Sequence, residues 1–217
     1  MEPLKNPFFK NITQKEYDEM IKCGGIRVAE FKKNEVIFHT GDITEEFGII
    51  LSGEVHIENI DLWGNRIILH SISDGQAFGE TYAFCKEPIM VDVTAVRNSE
   101  ILFVNIGLLQ SSVNYSRSWY NKILYNLLVL STEKNLAWSS RVFCITAKSI
   151  RSRVMTYLSS EAVKRGTTEF NIPFDRQQMA DYLNVERSAL SKELGKMKKE
   201  GILTFQKNRF KLYQSEQ

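Results

Sequence analysis

Seven side chains toward the C-terminal end of this chain carry the types and spacing for specific recognition chemistry: Glu186, Arg187, Ser188, Ser191, Lys192, Lys207 and Arg209. Arg187 can donate two hydrogen bonds to a guanine edge, and Lys192 can do so less rigidly or hold a phosphate. Glu186 can accept from cytosine or serve only as a helix cap. Lys207 and Arg209, with Lys211, suit phosphate oxygens, which fix register without reading sequence. The chemistry implied is recognition of double-stranded DNA rather than bond making. No Ser-His-Asp or Cys-His set suggests itself, so no enzymatic activity is expected.

Those side chains need rigid elements behind them. Asp175 with Gln178 forms the pattern of a capping box, and Met179, Ala180 and Leu183 then share one face of a short helix. Asn184 tolerates the left-handed conformation that ends a helix sharply. Ser188 to Glu200 reads as a second helix whose Leu190, Leu194 and Met197 point inward, with Gly201 placed to stop it. Small Ala180 lets the two helices cross closely, the signature of a helix-turn-helix with Glu186 to Lys192 at the N-terminal end of the reading helix. After Gly201, Ile202–Phe205 and Phe210–Tyr213 alternate around QKNR as a hairpin wing. Charge is segregated in the same sense. From Thr146 onward there are fourteen lysines and arginines against eight acidic residues, so the whole-chain net charge of +2 hides a basic end on an acidic body.

Composition narrows the remaining classes. With 217 residues and 43% hydrophobic content the chain can build two small cores. No apolar run approaches the roughly 20 residues that span a bilayer, and MEPLKNPFFK lacks a secretory pattern, so no membrane association and a cytoplasmic location are expected. Cys23, Cys85 and Cys144 stand far apart with no Cys-x-x-Cys pair, which points away from structural zinc and iron–sulfur clusters. His39, His56 and His70 lack the paired spacing a cupin-type metalloenzyme needs. No metal and no cofactor are expected. That enzyme is one competing reading; another is a ligand-sensing or scaffold protein whose helix-turn-helix contacts protein.

Upstream, Thr13 and Glu16 open a short helix with Tyr17, Met20 and Ile21 on its apolar face, stopped by Gly24 and Gly25. Residues 35–39, 47–51, 54–58, 66–71, 91–96 and 101–104 read as strands. Gly41-Asp42, Ser52-Gly53, Gly64-Asn65 and Asp74-Gly75 are turn signals between them. Short strands at this spacing suggest a barrel-like or jelly-roll sheet. Tyr120, Ile123, Leu127, Leu130, Lys134 and Ala137 then follow the alternating spacing of a coiled-coil seam. The same residues suit packing on the chain's own barrel. A two-fold dimer helix is preferred, because a helix-turn-helix reads palindromic DNA as a symmetric pair. Residues 141–146 break the pattern and read as a hinge, and Ile150, Val154, Tyr157 and Leu158 mark a further helix.

Barrel, long helix and winged helix-turn-helix in this order resemble the CRP/FNR family of bacterial transcription regulators, over nearly the whole chain. GDITEEFGIILSGEVHI from Gly41 resembles the family's early strand pair. GQAFGE from Gly75 resembles the opening of its cyclic-nucleotide cassette, and NVERSALSKELGKM from Asn184 its recognition helix. The resemblance implies an α+β chain: an N-terminal antiparallel β-roll sensor over 1–112, a dimerisation helix over 113–142 and a winged helix-turn-helix over 143–217. It also implies a homodimer on palindromic DNA, RNA polymerase as a partner, and an unidentified small-molecule effector near Gly79, Glu80, Met90 and Val91. One departure stands out. Where cyclic-nucleotide-binding members carry an Arg-Ser pair, this chain has Ile89, Met90 and Val91, and Lys86 lies on the wrong side of Pro88. A buried phosphate without a cation is costly, so weak binding of cyclic AMP is expected.

Overall fold

The computed structural model describes residues 2–60 and 66–213, the side chains of Ile60, Arg66 and Ile67 excepted. The Gly64-Asn65 turn expected from sequence lies outside the described residues. Two compact units divide at Ser131/Thr132.

The first unit opens with α1 (Gln14–Lys22), whose Thr13 hydroxyl and Glu16 carboxylate form the reciprocal capping box. Tyr17 and Met20 are buried, whereas Ile21, expected on the same face, is largely exposed. There follow β1 (Ile26–Phe31), β2 (Val36–Phe38), β3 (Glu46–Ser52), β4 (Glu54–Ile60), β5 (Arg66–Ser73), β6 (Ala77–Phe78), α2 (Glu80–Cys85), β7 (Asp92–Ala95), β8 (Ser99–Asn105), α3 (Gly107–Gln110) and α4 (Tyr120–Thr146). The strands make two antiparallel four-stranded sheets, in orders β1-β8-β3-β6 and β2-β7-β4-β5. Strands β1 and β6 and helix α2 add to what the sequence patterns gave.

The apolar runs of β3 and β8 follow from burial on both faces. Ile50, Ile101 and Phe103 join Phe38, Val55, Phe78 and Val93 in a cluster drawn from both sheets. Phe47, Ile49, Leu51, Leu102 and Val104 join a second cluster with Phe8, Phe9, Met20, Trp119, Ile123 and Leu127. A strand covered on both faces needs no polar alternation.

That second cluster corrects the expected dimer seam. Ile123 is fully enclosed and Leu127 nearly so, with Tyr120 and Leu130 packed at the margin, all within their own unit. Packing of the helix on its own roll is the observed arrangement for these four residues, and only Ala137 of the expected seam is exposed. Asn126, also buried on α4, donates to the carbonyls of Phe8 and Lys10 at 2.9 and 2.8 Å, which straps the N-terminal segment to the helix.

The second unit holds the end of α4, then α5 (Ile150–Arg165), β9 (Glu169–Asn171), α6 (Arg176–Tyr182), α7 (Arg187–Lys199), β10 (Leu203–Gln206) and β11 (Arg209–Leu212). Here too the sequence expectation changes. Residues 141–146 are not a hinge but the last turns of α4; the helical run stops at 147–149, and Ser149 caps α5. Cys144 is buried with Val154, Tyr157 and Leu158, and that packing holds the segment helical.

Candidate nucleic-acid interface

Helix α6 begins as its sequence dictates. Asp175 Oδ1 accepts from Gln178 N at 2.8 Å, and Gln178 Oε1 accepts from Asp175 N at 2.9 Å. It ends at Asn184, whose φ of +51° lies in the left-handed region. Fully buried Met179, Ala180 and Leu183 meet Leu190, Leu194 and Met197 of α7 in one core. Gly201, at φ +74°, terminates α7, and β10 and β11 follow as a hairpin with Gln206 opposite Arg209. The two-residue turn leaves Lys207 exposed at φ +54°. The short β9 pairs with β11 to complete a three-stranded sheet.

At the start of α7 the polar side chains divide into two sets. Glu186 is the N-cap. Its carboxylate accepts from Ala189 N at 2.9 Å and from the Ser188 hydroxyl. Hydrogen bonds from Ser188, then from the backbone of Ser188 and Ala189, hold that carboxyl below the usual carboxylate range. Ser191 Oγ donates back to the Arg187 carbonyl at 3.0 Å. Glu186, Ser188 and Ser191 are thus engaged in shaping the helix. Arg187 and Lys192 are exposed, and among the described residues neither forms an ion pair.

On the wing, Lys207 is exposed but Arg209 is paired. Its guanidinium contacts Glu169 of β9, which Lys211 also approaches at 3.8 Å. A residue sequence reasoning missed is Arg176, at the first turn of α6. Its guanidinium packs 5.0 Å from the centroid of Phe205 and 5.9 Å from that of Phe210. Burial, then the nearby Arg187 cation, lower its pKa from the ordinary guanidinium value. The available signal was its position directly after the cap. A cleft of about 590 Å³ opens beside it, lined by Pro173, Phe174, Asp175, Arg176, Gln178, Lys207 and Asn208.

In the roll, the expected effector residues separate. Gly79 caps α2 at φ +83°, and a Cβ there would stand 3.2 Å from the Phe38 ring. Phe38 in turn lies 5.8 Å from Phe78 and 6.0 Å from Phe103, edge to face. Glu80, the first residue of α2, is half-buried, and Val91 packs against the same apolar cluster. Met90 is 73% exposed and does not join it. Lys86 ends α2 in the left-handed region and is exposed. Among the described residues, no group of three His, Cys, Asp or Glu side chains is placed to hold a metal. Among them, too, no helix is long and apolar enough to cross a membrane.

Comparison with known proteins bears on this architecture. Residues 28–113 match the model of the cyclic nucleotide-binding domain, and residues 152–216 match that of the Crp-like helix-turn-helix domain. The chain belongs to the CRP/FNR family of transcription regulators. It is a DNA-binding regulator with a cyclic-nucleotide-binding-like domain, and its fold is α+β. A relative of this CRP/FNR-type chain is the nitrogen fixation regulation protein FixK of Azorhizobium caulinodans. The two are 25% identical over 192 residues, covering 83% of this chain and 73% of that protein. The catabolite activator protein of Thermus thermophilus superimposes with a TM-score of 0.52 at 18% identity, over 96% of this chain and 94% of that one. The c-di-GMP-responsive global regulator CLP of Xanthomonas campestris gives a TM-score of 0.56 at 17% identity, over 91% of this chain and 100% of that one. At such identities the structural likenesses establish the regulator's fold.

Proposed function

We propose that this regulator works in the cytoplasm, without catalysis, as a homodimer. Each copy lays α7 in a major groove of a palindromic site. Arg187 and Lys192 face base edges, and Lys207 meets phosphate. Glu186, Ser188 and Ser191 shape the helix start, and Arg209 gives up its Glu169 partner only on contact with DNA. Two half-sites about one duplex turn apart, roughly 34 Å, match a symmetric pair of such helices. RNA polymerase is the expected protein partner of a regulator bound beside a promoter.

The observation that carries the dimer is a second apolar stripe on α4. Leu124, Tyr125, Leu128, Leu136, Val142 and Phe143 are all exposed, Leu136 to 69% and Phe143 to 72%. At 100° per residue they fall on one side of the helix, away from enclosed Ile123 and Leu127. A stripe of this kind on one chain is what a second copy of the same helix would cover. Sedimentation tests it: the protein should run as a dimer, and Leu128→Arg with Leu136→Arg should run as a monomer with folded secondary structure. A monomeric wild-type protein would sink the reading.

The effector is not cyclic AMP. The turn at Gly79 is kept, but no Arg-Ser pair follows it. The packed core of the roll, with Phe38, Phe78, Phe103, Ile50 and Val93, is apolar and would not favour a phosphate. Signal there would shift the population of dimers whose α7 spacing fits DNA. Calorimetry with cyclic AMP should show no stoichiometric binding; tight binding would contradict this.

A further inference from the structure

The carbonyls that end α6 are satisfied by two arginines from other elements as well as by the local backbone. With Asn184 left-handed, Val185 N donates to the Ala180 carbonyl at 3.0 Å and Asn184 N to the Asp181 carbonyl at 3.2 Å. These are the paired bonds of a Schellman turn, and they leave the carbonyls of Tyr182 and Leu183 for other donors. Arg141 supplies the first, with Nε donating to Tyr182 O at 3.1 Å and Nη2 to Asp181 O at 3.0 Å. Arg153 supplies the second, with Nη1 donating to Leu183 O at 3.2 Å and to Asn184 O at 2.8 Å.

The two arginines differ in origin. Arg153 sits on α5, inside the helix-turn-helix unit, and also donates from Nε to the Ala147 carbonyl at 3.0 Å. Arg141 sits on α4, before the break at 147–149. Its guanidinium lies 5.5 Å from the Trp138 ring centroid and 5.8 Å from that of Tyr182, which limits its rotation. Asn184 precedes Arg187 by three residues. A rotation of the end of α4 is therefore passed through one planar fork to the turn that aims α7, bypassing the joint in the chain. Two donors in fixed geometry transmit orientation; a single ammonium on a flexible stem would not.

We infer that Arg141 is a positioning residue for DNA recognition, holding the start of α7 in register with the end of α4 without touching DNA. This rests on the DNA reading above. The test uses the full-length protein, a duplex selected by the wild type from a random pool, and an unrelated duplex. Arg141→Ala and Arg141→Lys should each lose at least tenfold in affinity for the selected duplex. Affinity for the unrelated duplex and the slope of log K against log salt should stay unchanged, because no phosphate contact is lost. Amide exchange at Asn184 and Val185 should quicken in both variants.

Unchanged affinity of Arg141→Ala for the selected duplex would overturn the proposal. So would a slope smaller by about one, which would make Arg141 a phosphate contact. Equal losses on both duplexes with a reduced active fraction would also overturn it, by making Arg141 only a folding residue. A wild type that selects no duplex sinks the DNA reading itself; a wild type that selects and variants that match it sink only the role of Arg141.

Discussion

Arg151 and Glu200 form a two-pronged ion pair, Nη1 to Oε2 at 2.7 Å and Nη2 to Oε1 at 2.9 Å, that ties the first turn of α5 to the residue ending α7. Arg151 Nε also donates to Glu193 Oε1 at 2.7 Å, two turns further up the reading helix. Glu200 first, then Glu193, raise the Arg151 pKa above its usual value, and Arg151 lowers that of Glu200. The groups are substantially exposed, so the pair acts more on geometry than on stability. Arg151→Ala should lower the thermal midpoint of the C-terminal unit slightly, and the difference should shrink in molar salt. Calorimetry at low and high salt measures both.

A pH dependence follows from Glu16. Burial raises its pKa, but hydrogen bonds from Lys122, Ser118 and Thr13 outweigh burial and bring it down from 4.5 to about 2. Lys122 Nζ lies 2.8 and 2.9 Å from its two oxygens, and Ser118 Oγ at 2.6 Å. The folded value is below the unfolded one. Its contribution to stability is therefore complete above about pH 4.5 and fades as pH falls toward 2. Urea unfolding should show Glu16→Gln less stable than wild type at pH 6 and the gap narrowing at pH 3, values chosen to bracket that window. A gap independent of pH would remove the carboxylate from the account.

The core that sets the angle between α6 and α7 depends on Leu194, which is fully enclosed. Leu194→Ala should cost about 2–5 kcal/mol, the range for a buried leucine whose surroundings close only partly. Chemical denaturation of the full chain, with a probe in the C-terminal unit, measures this.

At the recognition surface the two cations should separate by kind. Arg187→Ala should cost about 1–3 kcal/mol on the preferred sequence and relax base choice. Lys207→Ala should weaken all duplexes alike and reduce the salt slope by about one. Titrations at several salt concentrations on matched and altered duplexes distinguish the outcomes.

How far the sequence reached depended on the range of the interactions involved. The Asp175–Gln178 box, the left-handed Asn184 and the inward Leu190–Leu194–Met197 face are local, three or four residues apart, and the structure has each. The pairing of Arg209 with Glu169 is not local: it needs β9, three residues long, laid beside β11. The α4 seam failed for another reason. Apolar residues lie on two sides of that helix, and periodicity alone does not say which side meets the chain's own core. The hinge failed because Val142 to Thr146 are residues of middling helix propensity, and the burial of Cys144 overrides propensity. In the roll, Gly79 could be placed from its motif, but the Phe38 ring above it comes from a strand forty residues earlier.

The most direct measurement is a selection of binding sites from random duplexes by the wild type and by Arg187→Ala side by side. We expect a two-fold symmetric consensus with half-sites about one duplex turn apart, and loss of preference at the same position in both halves for the variant. A consensus without symmetry, or a variant that selects the same sequence as the wild type, would contradict it.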